Sequence, residues 1–272
     1  KALFIFNLKP MLYIVIIIRS RQTMLSQQEQ LRFSRQTMLK GIGEQGQQAL
    51  KNARILIVGV GGLGNPVSLY LNAAGVGNIY LADGDNIDIS NLHRQILFNE
   101  SDLAKNKADT SAEKLQQLNT STNIEVLDEM LDAELADYYF PLVDLILDCT
   151  DNISTRYLIN QKCLEHRKPL VIGAATGFDG QHMFVDPNEP DSACYQCLFP
   201  ANKKAPENNC QTLGILGPVL AIIGGMQALQ AIKFLTGHKV ATNQLNIFDG
   251  LNNSWQQLTL KKQAKCLACS TL

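Results

Sequence analysis

The chain has 272 residues, enough for one large α/β domain or two small ones, and a chain of this size buries roughly three quarters of the surface it exposes when unfolded. Hydrophobic residues at 46% against charged residues at 18% exclude a disordered chain, and 19 glycines exclude a collagen-like one. Lys and Arg number 24 and Asp and Glu 25, a net charge of −1, so bulk positive potential is lacking and no nucleic-acid partner is expected.

Residues 3–18 are mostly apolar but include Asn7, Lys9 and Pro10, and the unbroken run 11–18 is shorter than the ~20 residues a membrane span needs. Arg19-Ser20-Arg21 is not a small-residue cleavage site, so no signal peptide is read there. The chain begins with Lys1, and the hexamer Ser-Arg-Gln-Thr-Met-Leu occurs at 20–25 and again at 34–39. Residues 1–23 are therefore expected to be an artefactual extension, with a membrane-binding extension as the alternative. The working protein is expected to start near Met24 as a single domain over 24–272.

Residues 54–59 form a short β-branched run ending in glycines, and a helical pattern follows over 65–74. Strand 78–83, helix 105–118, strand 123–127, helix 132–139, strand 143–148, helix 153–167 and strand 169–173 come next. This alternation predicts a Rossmann-like α/β fold, a mostly parallel sheet with helices on both faces. After residue 174 strand-like segments at 181–185, 243–248 and 254–260 make the sheet mixed on its C-terminal side. The nucleotide-binding half is placed at about 50–175 and the second half at about 176–272. Stretches 84–103 and 187–212 exceed the usual connection length and are candidate functional loops. Segment 213–235 is long and apolar. Gln227, Gln230 and Lys233 recur in it every third residue as one polar stripe, which predicts a buried or interface helix and no membrane span.

Gly59-Val60-Gly61-Gly62-Leu63-Gly64 follows a strand and opens a helix, the context in which glycines let the backbone approach a phosphate and the helix N-terminus favours its charge. Asp83, at the end of the second strand, is placed to accept hydrogen bonds from ribose hydroxyls. These features fit NAD(H) and ATP alike, and no P-loop motif is present. What separates the two is downstream. Arg94 in the loop Ser90-Asn91-Leu92-His93-Arg94-Gln95, Lys107 at a helix start and the carboxylates of Asp148-Cys149-Thr150-Asp151-Asn152 all fall at strand C-terminal ends. A dehydrogenase does not need that set, whereas phosphoryl or nucleotidyl transfer does, because cations neutralise charge on oxygens and an Asp holds Mg²⁺. Singly, each has an ordinary explanation as a surface Arg, a helix-start Lys or an N-cap.

Seven cysteines include two Cys-x-x-Cys pairs, Cys194/Cys197 and Cys266/Cys269. An odd total in this pattern is not a secreted disulfide framework and points to a reducing, cytoplasmic setting. Four thiolates in two short-spaced pairs suit tetrahedral Zn²⁺. A redox pair would sit at a helix start beside a strand, while Cys194 and Cys197 lie in what reads as a polar, Pro-rich connection. Cys149 and Cys163 read as core, and His166, His182 and His238 as ordinary surface or core positions.

With Arg32-Phe33-Ser34-Arg35-Gln36, the glycine turn, Asp83-Gly84-Asp85, the loop 90–95, the segment 148–152, both Cys pairs and Cys210 leading into Gly214-Ile215-Leu216-Gly217-Pro218, the chain from about Arg32 to Cys269 resembles the ThiF/MoeB/HesA family. These are adenylyltransferases that activate ubiquitin-like sulfur carrier proteins, the bacterial relatives of ubiquitin-activating enzymes. The resemblance implies that Gly62 lies against the nucleotide, that Asp83 binds the ribose, and that Ser90, Asn91, Leu92, His93, Arg94 and Lys107 surround the phosphates. It implies Mg²⁺ on Asp151 with Asn152 beside it, and Arg35 reaching across a homodimer into the partner's site. The implied reaction is attack by the carrier's C-terminal Gly-Gly carboxylate on the α-phosphate of ATP. A carboxylate is ionised at pH 7 and needs no general base.

Asn91-Leu92-His93-Arg94-Gln95, Asn209-Cys210-Gln211-Thr212 and Phe248-Asp249-Gly250 are more similar to the thiamine branch, with a ThiS-like carrier, than to the molybdopterin branch, with a MoaD-like carrier. In the thiamine branch the residue matching Cys210 forms a sulfur-linked conjugate, which makes Cys210 a candidate catalytic thiol, with Lys203 and Lys204 the nearest cations in sequence. The chain departs from the family in residues 1–23, in Asp179 where a small residue is usual, and in having no sulfurtransferase-like domain after Cys269, which implies a separate sulfur donor protein. Two further readings are carried forward. One is an NAD-dependent oxidoreductase, and the other is a non-catalytic, zinc-stapled scaffold.

Overall fold

The computed structural model describes residues 24–201 and 214–270; residues 1–23 and Cys210 lie outside the described residues. Three helices, α1 (Gln27–Arg32), α2 (Ser34–Thr37) and α3 (Gly43–Asn52), lead into the sheet. There β1 (Arg54–Val58), α4 (Gly64–Ala73), β2 (Asn78–Ala82), α5 (Lys107–Leu118), β3 (Asn123–Leu127), α6 (Ala133–Tyr139), β4 (Leu145–Asp148), α7 (Ile153–Glu165) and β5 (Leu170–Thr176) alternate as predicted. The chain continues through β6 (Asp179–Val185), α8 (Tyr195–Leu198), α9 (Gly217–Leu235), β7 (Gln244–Asp249) and β8 (Ser254–Thr259).

The eight strands make one sheet in the order β3-β2-β1-β4-β5-β6-β7-β8. Pairings from β3 to β5 are parallel, and those from β5 to β8 are antiparallel. Parallel strands joined through helices are buried on both faces, which is why β4 is apolar except at its terminal Asp148. Alternate residues serve opposite layers. Ile55, Ile57, Leu145 and Leu147 join Leu71 of α4, Leu115 of α5 and Ile223 of α9. Leu56, Val58 and Ile146 join Ala136 of α6, Ile159 of α7 and the cysteine-bearing α8.

Helix starts follow their caps. Asn106 Oδ1 accepts from Asp109 N–H ahead of α5, Asp132 from Leu135 N–H ahead of α6, and Asn152 from Thr155 N–H ahead of α7. Two expectations are corrected. The strands predicted at 169–173 and 181–185 extend to Thr176 and back to Asp179, forming a long hairpin whose last residues line the cleft described below. Gln227 is not part of a polar stripe. It is wholly buried against the sheet, where its Nε2 donates to the Asp148 carbonyl at 2.8 Å. Among the described residues α9 is the one helix long and apolar enough to cross a membrane. Its Val219, Leu220, Ile223, Ala228 and Ala231 are buried in the core layer it shares with α4 and the sheet.

Candidate active site

Strand order reverses direction between β1 and β4, the point where open α/β sheets bind ligands beyond their strand C-termini. A cleft of about 720 Å³ opens there, lined by the ends of β1, β2, β4 and β5. The turn after β1 is built for close backbone approach. Gly59 has φ +86°, and a Cβ on Gly64 would stand 2.0 Å from the Gly59 carbonyl oxygen, so neither position accepts a side chain. Leu63 caps α4 without a side-chain bond, Asn65 N–H donates to the Gly61 carbonyl at 2.9 Å and Pro66 has no N–H, so what the turn offers an anion is close backbone approach at the positive end of α4. Gly62 lines the cleft, and its own packing constraint comes from Leu220 of α9, whose Cδ1 would lie 2.6 Å from a Cβ there.

Asp83 holds this turn as well as facing the cleft. Its Oδ2 accepts from Val60 N–H at 2.7 Å and its Oδ1 from Asp85 N–H at 3.0 Å. Burial raises its pKa, opposed by Lys107 and by the two N–H groups. Each oxygen keeps a second lone pair for a ribose hydroxyl. Lys107 lines the cleft and pairs with Asp85 Oδ2 at 2.8 Å. In the loop 84–103, Asp88 caps the short turn Ile89–Asn91, which delivers Asn91 and Arg94 to the cleft. Arg94 Nη1 donates to the Ser90 carbonyl at 2.7 Å and lies 3.0 Å from His93 Nε2. Ser90, Leu92 and His93 shape this loop and are not among the cleft-lining residues. Asp151 and Asn152 do line it, and Asn152 also caps α7. The exposed Asp151 carboxylate facing a phosphate-sized space fits Mg²⁺, which takes one or two carboxylates and completes its shell with phosphates and water. Arg35 is exposed on α2, with Nη1 3.8 Å from Met38 Sδ, and is not among the residues of its own chain's cleft.

Beyond the nucleotide lobe the cleft continues over β5 to β7, where Ala174, Thr176, Asp179, Gln181, Ile215 and Ile247 line it. Behind the lining residues Cys149 and Thr150, Asp148 is fully buried and its pKa is raised by burial, with Arg156 the opposing cation.

The four cysteines of the two pairs converge. Their Sγ atoms lie within 4.8 Å of one another, with Cys197–Cys269 at 3.4 Å, Cys194–Cys266 at 3.7 Å and Cys194–Cys197 at 3.9 Å. Thiolates ~2.3 Å from a tetrahedral Zn²⁺ stand about 3.8 Å apart, so this donor set fits that ion. The bond with Cys194 pulls Cys197 down to about 5, and the same bond, with burial, pushes Cys194 up. Burial is also the main cause that raises Cys269 to about 12. A dication resolves this competition for one negative charge. One expectation is corrected. Cys194 is the N-cap of α8, so the first pair does sit at a helix start, and the redox reading yields to the four-sulfur cluster itself.

Asp85 and Gln95 fall within motifs of the sequence that assign them no role, and Asn65 falls in none. Asp85 acts through a partner 22 residues away, and Asn65 bridges the glycine turn to the loop, donating to the Val60 carbonyl at 2.7 Å and accepting from Leu97 N–H at 2.9 Å. Buried Gln95 lines the cleft beside Gly61.

The fold and cleft define a nucleotide-binding α/β enzyme of the Rossmann type. The ThiF family profile matches residues 33–268, and the chain belongs to that family of E1-like adenylyltransferases. It is 42% identical over 239 residues to the sulfur carrier protein ThiS adenylyltransferase of Escherichia coli (strain K12), covering 88% of this chain and 94% of that protein. It is 42% identical over 252 residues to the adenylyltransferase and sulfurtransferase MOCS3 of Culex quinquefasciatus, covering 91% of this chain but 57% of that longer protein. Among solved structures, E. coli MccB with ATP superposes with a TM-score of 0.76 at 20% identity, over 98% of this chain and 82% of that one, a likeness of fold. The oxidoreductase and scaffold readings are set aside.

Proposed function

We propose that this enzyme adenylates the C-terminal glycine carboxylate of a ubiquitin-like sulfur carrier protein of the ThiS type, supplying the activated carrier for sulfur transfer in thiamine-thiazole synthesis. The observation that carries it is the convergence of Asn91, Arg94, Lys107 and Asp151 on the cleft beside the glycine turn. The carrier's carboxylate oxygen forms a bond to the α-phosphorus, the bond from that phosphorus to the bridging oxygen breaks, and pyrophosphate leaves. The nucleophile is already ionised, so the residues of this chain have charge and alignment to supply. Asp83 orients the ribose, and Arg94 and Lys107 offset charge on the phosphate oxygens. Bound at Asp151, Mg²⁺ would neutralise phosphate charge. The lobe over β5 to β7 suits an extended, side-chain-poor Gly-Gly tail.

A homodimer fits Arg35, which is exposed and outside its own cleft and so is free to serve a partner's. Zn²⁺ on Cys194, Cys197, Cys266 and Cys269 staples segments 72 residues apart. The free thiols of Cys149 and Cys163 accord with a reducing cytoplasm. Cys210 remains the candidate for a sulfur link to the carrier, with a separate protein as sulfur donor. The second reading is the same reaction on a MoaD-type carrier, favoured by the likeness to MOCS3. ATP–pyrophosphate exchange measured separately with the two carrier types tests the choice. Exchange with the ThiS type alone is the expected result, and exchange with the MoaD type alone would reassign the substrate.

A further inference from the structure

Gln227 is a fully buried amide on α9, on the same helix as the buried apolar Ile223, Ala228 and Ala231. Burying an amide costs free energy unless it is hydrogen-bonded, and each bond here goes to the ends of β4 and β5. Its Nε2 donates to the Asp148 carbonyl at 2.8 Å and to the Val171 carbonyl at 3.5 Å, and its Oε1 accepts from Cys149 Sγ at 3.8 Å. Gly173 of β5 makes the room, since a Cβ there would stand 2.2 Å from Gln227 Oε1. Packing alone would be served by a methionine of similar length.

What the amide holds is the exit of β4. Cys149 N–H donates to the Val58 carbonyl at 2.9 Å, and the Cys149 carbonyl oxygen lies 2.9 Å from where a Cβ on Gly59 would be, so this residue rests on the glycine turn. Thr150 follows, donating from N and Oγ1 to Asp148 Oδ1 at 3.0 and 2.7 Å. Asp151 comes next, and Asn152 then fixes the start of α7 by accepting from Thr155 N–H at 2.8 Å. Asp151 thus stands on a short bridge between an end of β4 pinned from α9 and a capped helix.

We infer that Gln227 is a positioning residue, which acts through the Asp148 carbonyl and Cys149 to hold Asp151 where it faces the phosphates of the nucleotide and their Mg²⁺. The inference rests on the adenylation reading of the cleft. Asp83, the ribose contact, is fixed separately by Val60 and Asp85 N–H. Loss of the amide is therefore expected to reach the metal-dependent part of nucleotide binding and to spare the rest.

The test compares the full chain with Gln227→Met, which keeps the length of the side chain and loses the amide. ATP binding without carrier is measured by calorimetry, with Mg²⁺ and with a chelator in its place, and ATP–pyrophosphate exchange alongside. Without Mg²⁺ the variant binds ATP within about twofold of the parent; the tightening that Mg²⁺ gives falls about fivefold or more, and kcat for exchange about tenfold or more. A role in packing alone would lower the melting temperature and leave these quantities unchanged in the folded protein. If Gln227→Met does not fold, Gln227→Glu replaces it. Burial raises the pKa of a carboxyl group, and the protonated acid donates to the Asp148 carbonyl as the amide did. The ratio of variant to parent Mg²⁺ effect then stays near one at about pH 6 and falls toward about pH 9, and the same ratio at both would overturn the inference. Mg²⁺ that tightens ATP equally in the parent and in folded Gln227→Met overturns the inference alone, as does Mg²⁺ without effect on the parent's ATP affinity. A parent that binds no ATP, or exchanges no pyrophosphate with either carrier type, overturns the adenylation reading and the inference with it.

Discussion

Lys107→Met removes a cation while keeping most of an aliphatic stem, and its effect can be worked from the geometry. The Lys107 side chain is 8% exposed and pairs at 2.8 Å with Asp85, which is 52% exposed. An ion pair half in solvent is worth about 1 kcal/mol, which the lysine gives up when it turns to a phosphate. A unit charge about 4 Å from charge developing on a reacting oxygen, at an effective dielectric of about 20, contributes about 4 kcal/mol. The net is about 3 kcal/mol, or roughly a hundredfold in rate. ATP–pyrophosphate exchange with saturating carrier should therefore fall about a hundredfold in kcat, while the melting temperature moves by only a few degrees. Exchange within about threefold of the parent, from a variant that is folded, would refute the placement of this cation at the reacting phosphate.

Asp151→Ala should abolish exchange with little change in melting temperature, because the side chain is exposed; activity that survives, measured across Mg²⁺ concentrations, would remove Asp151 as the magnesium ligand. Mixing inactive Arg35→Ala chains with inactive Asp151→Ala chains should restore about a quarter of the parent's exchange, since half of the dimers are mixed and each has one complete site. No recovery after subunit exchange would mean that Arg35 does not act across a dimer. His182 is buried, and desolvation depresses its pKa from 6.5 to about 4. It stays neutral when folded and takes a proton when unfolded. Its contribution to stability is thus complete above pH 6.5 and is lost as the pH falls toward about 4, at up to about 1.4 kcal/mol per pH unit. Denaturant melts of His182→Gln should show a flatter acid limb over that window, and an unchanged slope would contradict the assignment.

The parallel half of the fold is legible in the sequence because its central strands β1 and β4 are apolar runs and its edge strand β3 alternates, and the glycine turn stands out because backbone contacts there exclude a side chain. Lys107 and Asp151 are legible because they fall at the start of α5 and just beyond the end of β4, and Arg94 because it belongs to a motif in the long loop that follows β2. What escapes is set by contacts between distant segments. Asp85 has no partner in the sequence until the chain returns at Lys107, whose N–H donates to the Asp85 carbonyl at 2.9 Å and whose ammonium pairs with its carboxylate. Gln227 reads as one member of a polar stripe by its spacing, yet the carbonyls of Asp148 and Val171 satisfy its amide inside the core. The cysteines announce a metal site by their pairs, and the structure brings their four sulfurs together. Asp179 stands out as a departure from the family, and the hairpin that carries it to the rim of the cleft is longer than its alternation suggested.

Adenylation of the carrier's terminal carboxylate is tested most directly by intact-mass spectrometry of a ThiS-type carrier incubated with the zinc-loaded enzyme, ATP and Mg²⁺. The account predicts a carrier heavier by one adenylyl group, formed only with ATP, absent with Asp151→Ala enzyme, and lost when the carrier's terminal glycine is removed. A carrier of unchanged mass with folded, ATP-bound enzyme, or an adduct that survives removal of that glycine, would contradict it.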